Sequence, residues 1–339
     1  MTQDTILTID NVSKRFTKNL DIAERTARKL GAKIAPVTVH AVDNVSLDIR
    51  RGEVLGLVGE SGCGKSTLGR MVAGLDAPSD GRIVYNGQDV AGLKGAAARD
   101  AALKIQMIFQ DPMSSLNPRM RVRDIVGEAP RVHGIVSRDR VDAYVEDILD
   151  QVGLDPTTAK RYPHQFSGGQ RARVGIARAL AVRPDFLVCD ESVAALDVSI
   201  QAQVLNLFVK LRQDYDLTYL FVSHDLGVVE HVSDRIAVMY LGQIMELEES
   251  RRLFSDPRHP YTQSLLSAIP VADPTATSDR QVLEGDTPNP ADSPTGCKFS
   301  GRCPLAEERC VNEEPAIRVL DDGRLVRCHL VEDGTGTHP

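Results

Sequence analysis

The sequence of 339 residues contains no apolar run of about 18 residues that could span a bilayer. Residues 1–4 are polar and acidic, and they lack the layout of a signal peptide. We therefore expect any role at a membrane to be peripheral. Hydrophobic residues (42%) and charged residues (26%) are in ordinary globular balance, and the length allows two domains.

An excess of positive charge is also lacking. The formal net charge is −7, so the chain as a whole does not attract nucleic acid or anionic lipid. Arginines 119, 121 and 123 form a local basic cluster that a solvated face explains. The sequence has no internal repeat, no long heptad run and no basic stripe, which argues against a protein that acts on nucleic acid.

Glycine, by contrast, is concentrated in residues 59–67, which fit the phosphate-binding pattern G-x-x-x-x-G-K-[ST]. The apolar run 54–58 before them indicates a buried strand, and apolar residues after them recur at helical spacing. A strand, a glycine-rich turn and a helix predict a loop whose N–H groups surround phosphate oxygens. The alternative is a structural turn that binds nothing. The predicted nucleotide-binding residues are Gly59, Glu60, Ser61, Gly62, Cys63, Gly64, Lys65, Ser66 and Thr67.

Several residues are expected to act with this loop. Lys65 can reach the β- and γ-phosphates, and Ser66 can ligate Mg²⁺ together with Asp190. Asp190 and Glu191 follow an apolar run from residue 186, as expected for a central parallel strand whose end meets a ligand. Glu191 could orient or deprotonate an attacking water. Without the phosphate loop, a helix cap would explain the two carboxylates more simply.

Two further polar residues end predicted strands. Gln110 follows the strand of residues 103–110 and could sense Mg²⁺ and water, while His224 follows a strand ending at residue 222 and could contact the γ-phosphate. Each alone would be an ordinary polar or structural residue. Phe16 ends the first strand, residues 6–16, and could stack on adenine or pack in the core.

The remaining pattern predicts the other elements. Strands are expected over residues 42–49 and 82–85, helices mainly over 121–183 and over 199–212, and a hairpin over 236–247 around Leu241-Gly242. Asp80-Gly81 and Asn86-Gly87 are hairpin-turn signals, and Asp225 is a predicted helix N-cap. Residues 17–39 indicate an insertion. Cys63 and Cys189 are explained by packing.

A second anion-binding segment opens a helix at Ser167, Gly168, Gly169 and Gln170. It is remote in sequence from the phosphate loop and need not reach the same phosphate. Two copies placed head to tail could each supply this segment to the other's loop. Nucleotide would then be held between two chains.

With these motifs in this order, residues 5–255 resemble the nucleotide-binding subunits of ATP-binding cassette (ABC) transporters. The resemblance implies an α/β P-loop NTPase fold with a RecA-like core, an antiparallel β subdomain and a helical subdomain at about 112–183. It makes Phe16 the adenine-stacking residue and Ala195-Leu196-Asp197 the D-loop, and Gln110 begins the junction that signals to a membrane partner. Ser192 and Ala194 stand where the family usually has proline and serine, which removes no catalytic group.

Segments 107–118, 195–203 and 259–262 resemble the dipeptide/oligopeptide importer class. This resemblance implies an ATPase at the inner face of the bacterial membrane, paired with a second and usually different ATPase subunit. Two permeases and, indirectly, a solute-binding protein complete such an importer. Dipeptides, longer peptides, nickel complexes and other small solutes all stay open as substrates. A non-transport ABC ATPase, or a nucleotide-gated metal or redox sensor, is the alternative class.

From about residue 255 prolines and turn residues dominate, and we expect a loop-rich module over residues 256–339 beside an ATPase domain over 1–255. Cys297, Cys303, Cys310 and Cys328 lie in this module with spacing C-x5-C-x6-C-x17-C. Zinc, an iron–sulfur cluster and unused thiols are open from the spacing, although the close pairs common in zinc sites are missing. The importer resemblance favours a [4Fe–4S] cluster.

Overall fold

The computed structural model of the protein describes residues 4–17, 37–111, 115–269, 288 and 294–331. Within them two sheets are flanked by helices. The strands are β1 Thr5–Thr17, β2 Thr38–Arg50, β3 Val54–Val58, β4 Asp80–Tyr85, β5 Gln88–Asp89, β6 Ile105–Ile108, β7 Phe186–Asp190, β8 Thr218–Val222, β9 Arg235–Tyr240, β10 Gln243–Glu249, β11 Arg318–Val319 and β12 Leu325–Val326. The helices are α1 Lys65–Val72, α2 Gly95–Lys104, α3 Val122–Val132, α4 Val141–Gln151, α5 Gly168–Leu180, α6 Val198–Tyr215, α7 Leu226–Val232, α8 Ser250–Ser255, α9 Pro260–Ser267 and α10 Glu308–Asn312.

The smaller sheet is antiparallel, with strand order β2-β1-β4-β5. Its predicted strands are confirmed, and so is the turn at Asn86-Gly87, where both residues have positive φ (46° and 78°). The turn predicted at Asp80-Gly81 is wrong, because both residues lie inside β4. Gly81 packs against the backbone of Asn11 in β1, where a Cβ would lie 2.3 Å from the Asn11 carbonyl oxygen. The glycine therefore allows close strand approach instead of a chain reversal.

The larger sheet has the order β11-β12-β10-β9-β3-β8-β7-β6. Strands β6, β7, β8, β3 and β9 run parallel, and β3, β7 and β8 are buried along their whole length, as their continuous apolar runs predict. Parallel strands end at one edge of a sheet. The segments after β3, β6, β7 and β8, which contain the predicted site residues, therefore emerge at the same edge.

Helices fill the space around this sheet. Residues 121–183 are mainly helical as predicted, and α3, α4 and α5 pack against one another and against the core. The predicted hairpin at Leu241-Gly242 is confirmed, with φ of 41° and 85°. Asp225 is confirmed as an N-cap, since its side chain accepts hydrogen bonds from the N–H groups of Gly227 and Val228. Across the described ranges, no helix is long and apolar enough to cross a bilayer.

The C-terminal residues join the core sheet. Strand β12 pairs with β10 through Glu246–Val326 and Leu247–Leu325, and β11 pairs with β12. Cys297, Phe299 and Cys310 belong to the main hydrophobic core. The boundary at residue 255 stays a prediction, while the described residues beyond it share packing with the ATPase core. Most of the insertion predicted at 17–39 lies outside the described residues, as do residues 112–114 within the helical region.

A buried ion pair ties the two sheets together. Glu53, whose side chain is 5% exposed, accepts a 2.5 Å hydrogen bond from Arg235 Nε, and Arg235 also donates to the Asp48 carbonyl at 2.6 Å. Arg235→Ala should lower the free energy of unfolding by about 3 kcal/mol, because it leaves the Glu53 carboxylate buried without its partner. Denaturant titration of the full chain measures this loss.

Arg82→Ala is the matched control for Arg235→Ala. Arg82 pairs with Asp10 at 2.9 Å, but its side chain is 62% exposed. Loss of this exposed pair should cost below about 1 kcal/mol. Equal losses for the two variants would contradict the assignment of Glu53–Arg235 as the stabilising pair.

Candidate functional site: a phosphate-binding loop at the sheet edge

The glycine-rich loop leaves β3 and leads into α1, as its sequence context predicts. Gly59, Gly62 and Gly64 have positive φ (152°, 80° and 109°). A Cβ at Gly64 would lie 2.0 Å from the Ala41 carbonyl oxygen, and one at Gly59 would lie 2.1 Å from that of Met239. Glycine is required at both places, because the loop is pressed between β2 and the end of β9.

Lys65 lies at the centre of this loop, with only 4% of its surface exposed. Its Nζ donates to the carbonyl oxygens of Gly59 (2.8 Å) and Glu60 (2.9 Å). The loop opens onto a cavity of about 260 Å³, lined by Ala41, Ser61, Gly62, Gly64, Lys65, Ser66, Thr67, Gln110 and Glu191. The donor-rich loop and the buried ammonium fit a polyphosphate, whose oxygens can replace the carbonyls as partners of Lys65.

Ser66, which lines the cavity, contacts Asp190 at the end of β7. Ser66 Oγ donates a 2.8 Å hydrogen bond to Asp190 Oδ1. Burial raises the pKa of Asp190, and the hydrogen bond from Ser66 opposes this shift. A hydroxyl and a carboxylate side by side are hard oxygen ligands of the kind that Mg²⁺ takes beside bound phosphates, so the pair fits a magnesium site.

Glu191 connects the predicted strand-end residues. Its Oε2 accepts a 2.7 Å hydrogen bond from Gln110 Nε2 and lies 3.3 Å from His224 Nδ1. Glu191 has a positive φ of 44°, an uncommon backbone conformation for a non-glycine residue. The Glu191 N–H also donates to the Val222 carbonyl oxygen of β8 at 2.9 Å. Gln110 and His224 thus both contact the carboxylate of Glu191. Gln110 and Glu191 also line the cavity.

The Ser167 segment forms an exposed helix start. Ser167 Oγ accepts from Gln170 N at 3.3 Å, and Gln170 Oε1 accepts from Ser167 N at 3.0 Å, which makes a reciprocal capping box for α5. Gly169 packs on α6, where a Cβ would lie 2.3 Å from Ile200 Cγ2. Among the described residues, this segment does not line the cavity of its own chain.

Phe16 lies near the end of β1, opposite Val39 of β2. Its side chain is 47% exposed, and Lys14 Nζ lies 5.3 Å from its ring centroid. An exposed ring does not fit the core-packing alternative. Ala41 of β2 lines the described cavity but Phe16 does not, so a role of Phe16 in adenine stacking stays a prediction.

The four tail cysteines approach one another from distant positions in the sequence. Cys297 N donates to the Cys310 carbonyl at 2.8 Å. The pKa of Cys303 is raised to about 11, mainly by burial and to a smaller extent by the charges of Cys328, Cys297 and Cys310. No three His, Cys, Asp or Glu side chains within the described ranges form a group that could hold a metal ion. The expected iron–sulfur module is therefore not confirmed.

The sequence did not indicate several contacts of the loop. Ala41 lines the cavity from β2, Tyr261 accepts a hydrogen bond from the Glu60 N–H, and Arg302 donates to the Glu60 carboxylate. The His-Pro-Tyr-Thr segment at 259–262 was informative only through its family resemblance. Cys63 and Cys189, with 2% and 0% of their surfaces exposed, are packed in the interior as expected.

Comparisons with known proteins decide the family. Residues 42–194 match the family model described as ABC transporter, and residues 245–310 match that of the oligopeptide/dipeptide transporter C-terminal region. The oligopeptide transport ATP-binding protein AppF of Bacillus subtilis (strain 168) is 47% identical over 97% of this chain and 98% of its own length. The chain belongs to the ATP-binding subunits of ABC transporters. It is an ATPase of that family.

Other similar proteins agree with this assignment. The putative peptide import ATP-binding protein BOV_A0347 of Brucella ovis is 51% identical over 86% of this chain and 92% of its own length. Among solved structures, cbiO1 from Clostridium perfringens, part of the ABC transporter complex cbiONQ, has a TM-score of 0.61 and 25% identity over 75% of this chain and 92% of its own. The ATP-binding cassette MJ0796, a dimer bound to ADP and Pi, has a TM-score of 0.61 and 27% identity over 72% of this ABC ATPase and 99% of its own chain.

The crowding around Gly64 gives a test of the loop. Gly64→Ala should weaken ATP binding to this ABC ATPase at least about tenfold, because the new methyl meets the Ala41 carbonyl and strains the loop. Gly87→Ala is the control, since Gly87 also has a positive φ (78°) but its Cβ would meet nothing within 4 Å. Titration with a fluorescent ATP analogue measures both, and equal affinities of the two variants would contradict the requirement for glycine at position 64.

Proposed function

We propose that the chain is the ATP-hydrolysing subunit of a bacterial importer of dipeptides or oligopeptides, bound at the cytoplasmic face of the inner membrane. The observation that carries this proposal is the match of residues 245–310 to the oligopeptide/dipeptide transporter C-terminal region. The names of relatives that are 47–51% identical support it. Its partners would be a second ATPase subunit, two permeases and, indirectly, a solute-binding protein.

The proposed ATP site is shared between two subunits. In one chain the phosphates lie on the loop of residues 59–67, and the companion subunit's segment that corresponds to Ser167–Gln170 closes the site from the opposite side. The exposure of the α5 N-terminus, away from the cavity of its own chain, supports this arrangement. The dimeric MJ0796 cassette, which shares the fold, also supports it.

Hydrolysis in this site would follow from the polar residues at the sheet edge. Glu191 positions a water for in-line attack on the γ-phosphate, and Gln110 and His224 hold its carboxylate in place. Lys65 moves from the loop carbonyls to the phosphates and offsets the charge that develops on them. Ser66 and Asp190 would hold Mg²⁺, which supplies further neutralisation of phosphate charge.

Glu191→Gln tests this assignment within the whole importer. The variant should keep ATP bound but reduce turnover and peptide uptake by about 100-fold or more, because an amide cannot act as the base for the water. Uptake of a labelled dipeptide by cells and ATP turnover by the purified complex measure the two effects. The Ser192→Pro variant, which restores the residue usual in the family beside the site, is the control and should transport normally.

Two results of these assays would contradict different parts of the proposal. Unchanged turnover in Glu191→Gln would exclude the role given to Glu191. Normal ATP turnover with no dipeptide or oligopeptide uptake by the wild-type complex would exclude the peptide substrate. Uptake of a nickel complex instead would identify the alternative, an importer of nickel complexes.

We also propose that Cys297, Cys303, Cys310 and Cys328 hold a [4Fe–4S] cluster. The support is that three of these thiols are buried, that Cys297 N donates to the Cys310 carbonyl oxygen, and that burial and, to a smaller extent, neighbouring cysteines raise the pKa values of Cys297, Cys303 and Cys328. A cubane cluster binds each thiolate at a separate iron, so its four ligands need not converge on one point. Zinc is the alternative metal, but it needs all four ligands around a single ion.

Metal analysis of anaerobically purified protein tests the cluster. We expect about four iron atoms and four sulfides per chain together with a broad visible absorption that dithionite bleaches. Cys310→Ser should remove this absorption, whereas Cys189→Ser, in a buried strand far from the tail in sequence, should keep it. Stoichiometric zinc, or no metal in protein prepared without oxygen, would contradict the proposal.

A further inference from the structure

Two residues of the C-terminal tail, here residues 256–339, contact Glu60 of the phosphate-binding loop. Arg302 Nη1 donates a 2.8 Å hydrogen bond to Glu60 Oε2. The Glu60 N–H donates to the Tyr261 hydroxyl at 3.0 Å. These partners lie 242 and 201 positions along the chain from Glu60. The tail therefore binds both the side chain and the backbone of a loop residue.

Packing fixes Arg302 in this position. Its side chain is only 8% exposed, and its guanidinium carbon lies 5.9 Å from the ring centroid of Tyr240, whose hydroxyl is 3.3 Å from Arg302 Nη1. Tyr240, Tyr261 and Phe299 pack together with centroid separations of 4.7 to 5.4 Å. A guanidinium held this way loses little additional freedom when it binds a carboxylate.

Glu60 joins the tail to the catalytic lysine. The Glu60 carbonyl oxygen accepts a hydrogen bond from Lys65 Nζ at 2.9 Å, so Tyr261 and Arg302 hold the residue that positions the ammonium. The carboxylate of Glu60 is also a negative charge in a loop built to receive a polyphosphate, and it is partly buried at 22% exposure. Without a cation beside it, this charge would repel the phosphates of ATP.

We propose that Arg302 is a positioning residue for ATP, which neutralises Glu60 and, with Tyr261, fixes the loop around Lys65. This inference rests on the ATP site described above. Because Arg302 acts on the binding of nucleotide and does not touch the attacking water, its loss should raise the KM for ATP and leave kcat nearly unchanged. The tail is then part of the nucleotide site of its own chain.

The test uses the full-length chain and a fluorescent ATP analogue. Arg302→Gln should weaken binding about fivefold or more. The double variant Arg302→Gln/Glu60→Gln should recover most of the affinity that Arg302→Gln loses, because no carboxylate is left to neutralise. Arg302→Lys should retain part of it. The deficit of Arg302→Gln should shrink as ionic strength rises, because salt screens the repulsion between the Glu60 carboxylate and the phosphates.

Arg309→Gln is the matched control, since it removes the same charge from the tail. The Arg309 guanidinium contacts the His329 carbonyl oxygen (2.8 Å) and Glu307 (3.2 Å), both within the tail. This variant should bind ATP as the wild type does. An equal loss of affinity in Arg309→Gln would assign the effect to net charge and overturn the proposal.

The remaining outcomes separate this proposal from the one on which it rests. If the wild type does not bind the analogue, the ATP site itself is wrong. If the wild type binds and Arg302→Gln binds equally well, or if Glu60→Gln fails to restore a folded Arg302→Gln variant, Arg302 is not a positioning residue. Should circular dichroism show Arg302→Gln to be unfolded, Tyr261→Phe and Arg302→Lys decide: wild-type affinity in both would overturn the proposal.

Discussion

The structure depends on a buried lysine ammonium held inside a tight backbone loop. Lys65 donates to the carbonyls of Gly59 and Glu60, and a charge with so little exposure must be partnered. The loop can curve around it because glycine stands where the chain approaches Ala41 and Met239. We propose that Lys65 exchanges these carbonyl partners for phosphate oxygens when this protein binds its nucleotide.

The parallel direction of the strands brings the other site residues to the loop. Parallel strands place Gln110, Asp190, Glu191 and His224 at the edge where the loop emerges, although up to 114 positions separate them. Glu191 reaches its partners from a left-handed backbone conformation, the kind of strained geometry that persists where surrounding structure enforces it. Two hydrogen bonds hold Glu191 in this conformation: one from Gln110 to its carboxylate, and one from the Glu191 N–H to the Val222 carbonyl oxygen.

Local patterns were enough to predict most of this architecture. The loop, the buried strands at 54–58 and 186–190 and the helix start at Ser167 all have short-range signals. The turn predicted at Asp80-Gly81 was wrong because the same dipeptide can form a turn or allow two strands to approach closely. Only the position of the partner strand determines which of the two occurs. The pairing of β12 with β10 and the contact of Arg302 with Glu60 could not be predicted, since no short-range pattern encodes a contact across 242 positions. Cysteine spacing likewise gave four candidate ligands without their three-dimensional arrangement.

In the proposed ATPase pair, this chain contains only part of each working ATP site, and a companion subunit completes it. Hydrogen–deuterium exchange at the start of α5 tests this most directly, in the assembled ATPase pair with hydrolysis blocked. The account predicts that ATP slows exchange of the N–H groups of Gly168 and Gln170, two exposed residues at the start of α5 in the single chain. Unchanged exchange at these amides, with ATP bound to the loop around Lys65, would contradict it.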